Sequence, residues 1–246
     1  MKIRTNLIPI LAASLLGSTL VSAHTRFETA TVQEGVRMLN NVTIGHACGT
    51  DTRVIGTSVV FPDGKDSSIL VNGVADGSTL TDHVSNWGPN IQPLFTTSPF
   101  AEVDEKNDVN GNVVGFFAGG GPGMPNHMLA YVPFRLNATN IVPQSCAVSV
   151  KFYASIVDVC NITDADKLHQ EGNAHFWTPN NLGTIFDRVS ETDDGPAPLT
   201  ITRDLEANPL PPSCGAGVTV EVRPSAGQIN RDMPIVFEGV QVWPTP

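Results

Sequence analysis

His83 and Trp87 stand four residues apart in HVSNWGPN, just ahead of a Gly-Pro turn. His127 follows the glycine- and proline-rich run GGGPGMPN, between Met124 and Met128. Imidazole suits copper, zinc, iron and nickel, and turns at the rim of a β scaffold are where binding sites tend to be built. Two imidazoles hold Cu(I) in near-linear geometry, and a third ligand makes the site trigonal. A calcium or magnesium site would need clustered carboxylates instead. The stretch nearest to a calcium loop is Asp104–Asn112 (DEKNDVNGN). Taking Gly111 as its loop glycine puts Lys106 at the first ligand position, so a solvated turn is expected there. A histidine taken singly is more often a packed or surface residue than a ligand. Met124 and Met128 offer thioether sulfur but are more often packing residues, and Trp87 alone reads as a plug at the core edge.

Four further histidines compete for the same role. His175 and Trp177 in HFW repeat the histidine–tryptophan association at shorter spacing and are the strongest competitors for the metal. His46 lies in VTIGHACGT beside Cys48, and is expected to be structural or to support a ligand. His24 follows Val21-Ser22-Ala23, a small-residue cleavage pattern. A chain starting there presents an α-amine and an imidazole on one residue, a chelating pair for copper. His169 lies on a short helical stretch and is expected to be solvated. No GxSxG occurs, and the glycine run at Gly119–Gly123 opens no helix, so hydrolase and dinucleotide readings are set aside.

The elements that must position these residues are short. With 22 Gly and 19 Pro in 246 residues, long helices are scarce. Strands are expected at Thr52–Phe61, Ser68–Asn72, Asn112–Ala118, Met128–Leu136, Gly217–Val222 and Pro234–Val242, with Ala147–Val159 the longest. Thr163–Glu171 reads as a short helix and Ser190–Pro198 as an exposed loop. The whole is expected to be all-β: a β-sandwich-like single domain with long loops and one or two short helices.

Residues 1–23 read as a secretory signal, with Lys2 and Arg4 before an apolar run, leaving 24–246 as one domain without a membrane span. The formal charge of −10 makes nucleic acid a poor partner. Cys48, Cys146, Cys160 and Cys214 contain no CxxC pair, and an even count in an exported chain reads as two disulfides, with all three pairings open.

Four motifs in order carry a family resemblance: VTIGHACGT, HVSNWGPN, GMPNHMLAYVPFRL and QSCAVSVKFYASIVDVC, spanning about residues 35–165. The chain resembles the MopE/CorA-type exported copper-binding proteins of methane- and ammonia-oxidising bacteria. The resemblance implies one copper, preferably Cu(I), bound by two histidines and a tryptophan oxidised to kynurenine. These fall on His83, His127 and Trp87. Intact indole nitrogen is donor-only, whereas the aromatic amine of kynurenine can ligate. The first and last motifs are also similar to YcnI-type copper-binding domains, which implies His24 as an amino-terminal ligand, with a carboxylate and a tryptophan. The expected function is therefore a non-enzymatic, secreted copper protein, periplasmic or at the cell surface, serving copper acquisition or handling. The alternatives are a copper oxygenase or oxidase using His24, and a metal-free, disulfide-stabilised interaction module.

Overall fold

A computed structural model describes residues 24–87, 90–189 and 198–246. The expected signal segment, the Gly88-Pro89 turn and most of the Ser190–Pro198 loop lie outside them. Among the described residues, sixteen strands follow one another: β1 (Arg26–Phe27), β2 (Thr31–Gln33), β3 (Met38–Ile44), β4 (Arg53–Val60), β5 (Ser68–Val71), β6 (Ile91–Pro93), β7 (Glu102–Asn107) and β8 (Val113–Pro125), then β9 (Ala130–Leu136), β10 (Ala147–Tyr153), β11 (Ser155–Val159), β12 (Ala174–Trp177), β13 (Pro198–Thr202), β14 (Val218–Arg223), β15 (Ile235–Phe237) and β16 (Val240–Trp243). One α-helix, α1 (Ala226–Asp232), precedes β15. Its cap is Ser225, whose side chain accepts from the Gln228 amide. Among the described residues, no helix is long and apolar enough to cross a membrane.

The strands form a first sheet ordered β1-β3-β9-β6, a second ordered β2-β13-β10-β14-β5, a third ordered β12-β11-β4-β8-β7, and the hairpin β15-β16. Alternation explains the outer sheets. Ala130, Val132, Phe134 and Leu136 of β9 are buried, while the residues between them are exposed or half-buried. β11 behaves differently, since all of Ser155–Val159 is buried. Its Ile156 joins a core shared with Phe27, Phe134 and Phe152 from the other two sheets. Its Val157 and Val159 join a second cluster with Ile229 and Met233 near the end of α1 and Trp243 of the hairpin. The third sheet is thus a middle layer with apolar packing on both faces. The fold is all-β with stacked, largely antiparallel sheets, as the residue pattern led us to expect.

Four local expectations need correction. Ala147–Val159 is two strands: the chain leaves the second sheet after Tyr153 and enters the third at Ser155, turning the corner at buried Ala154. The glycine run does not end β8, which continues to Pro125 by pairing with Arg53 and Val54 across a bulge. Gly123 has φ +69, and a Cβ there would lie 2.9 Å from the Val54 carbonyl oxygen, so the close approach needs glycine. Thr163–Glu171 yields only a 3₁₀ turn at Ala165–Lys167, and Asp104–Asn112 is the end of β7 plus a turn. In that turn Asp108 accepts from the Asn110 and Asn112 amides.

Two disulfides, Cys48–Cys160 and Cys146–Cys214, choose one of the three open pairings. They mark the protein as extracytoplasmic. The first ties the loop after β3 to the residue that follows β11.

Candidate metal centre

The structure does not bring His83 and His127 to one pocket. His83 lies where its carbonyl accepts from Val142 and its neighbour Val84 bridges Ile141, beyond the Leu136 end of β9. His127 precedes the Ala130 end. The seven-residue β9 lies between, a span of about 20 Å at ~3.3 Å per residue. His83 is buried, with Nδ1 at 2.9 Å from the Ser145 hydroxyl and Nε2 at 3.0 Å from that of Ser78. Burial holds its pKa below the ordinary value, against the pull of Asp76 and Asp82. Trp87 stacks on Phe152 at 3.8 Å and donates its indole N–H to the Pro62 carbonyl, so it plugs the core. His127 is exposed. Its turn instead abuts the loop carrying His46, through the Asn126 side chain, which accepts from the Ala47 amide.

Histidines do converge elsewhere. His175 and Trp177 are two apart on β12 and so share one face of the third sheet. Trp177 pairs with Ile156 and His175 with Asp158 of β11. The Cys48–Cys160 bridge then draws the His46 loop over the same edge. The His46 and His175 rings lie 4.9 Å apart, nearly perpendicular, and 6.5 and 5.9 Å from Trp177. His24 leans on Trp177 at 4.7 Å. The Arg188 guanidinium lies 5.1 Å from the centre of the same indole ring.

Beneath them Asp158 is buried, 1% exposed. It accepts from the Thr25 and Thr57 hydroxyls at 2.5 and 2.8 Å and from the Trp177 indole at 2.8 Å. Burial pushes its pKa up, while these donors and the nearby His46 pull it down. The net result is a carboxyl group held above its ordinary pKa by burial and fixed in place by three hydrogen bonds. Asp158 therefore fixes the indole, and through Thr25 it fixes the segment that carries His24.

The two neighbouring imidazoles are prepared differently. His46 Nδ1 lies 2.6 Å from its neighbour's carbonyl, Ala47. A carbonyl only accepts, so Nδ1 carries the proton and Nε2 keeps its lone pair in the neutral ring. His175 Nδ1 is buried without a hydrogen-bond partner among the described residues. Burial, then His46 and Arg188, push its pKa down to about 4, so the ring is neutral near pH 7. Among the described residues, no three histidine, cysteine or carboxylate side chains are grouped to hold a metal. A full tetrahedral zinc set or an oxygen cage for calcium is accordingly not assembled there, whereas a pair of imidazoles matches the low coordination number that Cu(I) accepts.

Sequence reasoning named His46, His175 and Trp177 but ranked them below His83 and His127, and it missed Asp158. The legible signals were the spacing of two in HFW, which aligns side chains on a strand, and a lone carboxylate inside the apolar run SIVDV.

No protein-family model matches the chain, and no curated protein matches it. Among solved structures, it is similar to an uncharacterized protein from Nocardia farcinica described as having an immunoglobulin-like fold. The identity is 12%, over 74% of this chain and 99% of the other, with a TM-score of 0.42.

Proposed function

We propose that the protein is an exported copper-binding protein that takes one Cu(I) between His46 and His175, for acquisition or handling of the metal in the periplasm or at the cell surface. The observation that carries this reading is the pair itself: two imidazoles 4.9 Å apart, one with a buried, unpartnered Nδ1. A buried ring nitrogen left without a partner among the described residues is uncommon in folded proteins. Imidazole nitrogens suit a soft monovalent ion. The resemblance to copper-binding exported proteins implies the same metal but placed it at His83, Trp87 and His127; the present reading moves the ligands to a second histidine–tryptophan group. Trp177, in place of Trp87, is then the indole next to the metal. It is held as an N–H donor by Asp158, so intact it lines the site and does not ligate.

Copper stoichiometry under reducing conditions tests the assignment. His46→Ala and His175→Ala are expected to lose the bound copper, while His83→Ala and His127→Ala keep it. Full retention in the first two variants overturns the assignment.

A second reading rests on His24, whose ring packs on Trp177 in the same cluster. If the mature chain starts there, its α-amine and imidazole add a chelate, and the site becomes that of a copper oxidase or oxygenase. Amino-terminal sequencing of secreted protein, with turnover under reductant and oxygen, separates the two. A mature chain starting elsewhere removes the enzymatic reading.

A further inference from the structure

The turn between β8 and β9 carries two metal-binding side chains that the histidine pair does not use. Ile44 of β3 is paired with Ala130 of β9. Two residues beyond that pair stand His46 on one chain segment and Met128 on the other. Paired strands lie ~5 Å apart, so the His46 loop and the turn leave the sheet as neighbours. They stay neighbours, because the Asn126 side chain accepts from the Ala47 amide at 3.0 Å. The turn is closed by the Met128 amide, which donates to the Pro125 carbonyl at 3.1 Å. Its two methionines then part company. Met124 is 3% exposed and packs in the core, whereas Met128 is 52% exposed and His127 beside it is exposed too. An exposed methionine alone is ordinary. A thioether next to an imidazole, on a turn fastened to the loop that holds His46, is a more specific arrangement.

We propose that His127 and Met128 form an entry site that takes Cu(I) from solvent and passes it to His46 and His175; this rests on the copper reading above. Thioether and imidazole are donors that Cu(I) accepts, and calcium and magnesium, which need oxygen, are not held by them. Two exposed donors on a turn bind more weakly than a half-buried pair, so copper resides there only in transit. Transfer exchanges metal–ligand bonds and leaves the copper monovalent, so no electron has to be supplied. Once the ion sits on the turn, its move to the His46 loop is intramolecular, and a short span gives such a step a high effective concentration. His127 is thus assigned to delivery and not to the final site.

Two measurements test this. Ag(I), a redox-inert stand-in for Cu(I), is titrated into protein carrying ¹³C-labelled methionine methyl groups. The Met128 methyl resonance is expected to shift and that of Met124 to stay, in wild type and also in His46→Ala/His175→Ala, which lacks the pair. Loading is then followed from the Cu(I) complex of bicinchoninate. The variant Met128→Leu/His127→Gln is expected to load about tenfold more slowly than wild type, with the final copper stoichiometry unchanged. A purely structural turn would leave that rate alone. No Met128 shift, or equal loading rates at full stoichiometry, overturns the entry site and leaves the histidine pair standing. A wild type that takes up no copper overturns the pair, and the entry site with it.

Discussion

Asp158 is the residue on which the candidate centre is most concentrated. It receives three hydrogen bonds, from Thr25, Thr57 and Trp177, in a place that solvent does not reach. Removing it leaves three buried donors unsatisfied, and each such loss costs about 1–3 kcal/mol. Asp158→Ala is therefore expected to lower stability by at least ~3 kcal/mol, read as a fall in the urea midpoint, and to broaden the Trp177 indole resonance. An unchanged midpoint would show that the carboxylate holds nothing. His83 presents the opposite case. Its two nitrogens are already satisfied by serine hydroxyls, so it offers a metal no ready lone pair without breaking a contact. That difference is invisible in the letters, because Ser78 and Ser145 reach His83 only through the folded chain.

At the scale of elements, β7 is fastened to the end of α1 by Lys106. Its ammonium donates to the Asp232, Met233 and Pro234 carbonyls at 2.6, 3.2 and 2.7 Å. Burial pushes its pKa down to about 7, against the attraction of Asp232 and Asp104. Between that value and the unfolded one near 10.4, the unfolded chain binds more protons than the folded one, so this residue's contribution to stability rises with pH. From pH 7 to 9 wild type is expected to gain about 2 kcal/mol relative to Lys106→Met, measured as the difference between their urea unfolding free energies. A difference that stays flat or shrinks contradicts the buried-amine account. The same scale shows what the sequence made legible. Alternation in AYVPFRL and turn residues around SILV marked β9 and β5 closely, because one face of each is wet or half-wet. The split of Ala147–Val159 was hidden, since a strand that changes sheets keeps its apolar residues throughout. For the site, the letters gave the residue types and the partner tryptophan. They did not give convergence, because His46 meets His175 only once Cys48 is joined to Cys160.

For the whole molecule, the two disulfides divide structural from functional stapling. Each closes a long loop, with sequence separations of 112 and 68, and chain-entropy reasoning assigns each about 4–5 kcal/mol. Removing either pair by Cys→Ser changes is expected to cost stability on that order. Only Cys48→Ser/Cys160→Ser should also weaken copper binding in the folded protein, since Cys146 and Cys214 join the residue before β10 to the 3₁₀ turn Pro212–Cys214 ahead of β14, both in the second sheet's strand order. Equal copper affinity in both double variants contradicts this division. The layered architecture places the histidine pair of the proposed metal centre on one face of the middle sheet and the packing of α1 and the hairpin on the other, so the site is open to tests of its own. The most direct of these is anomalous diffraction at the copper edge from crystals loaded with Cu(I). The account predicts a single peak between the His46 and His175 rings, within bonding distance of one nitrogen from each. A peak at His83 or His127 with none between His46 and His175 would contradict it.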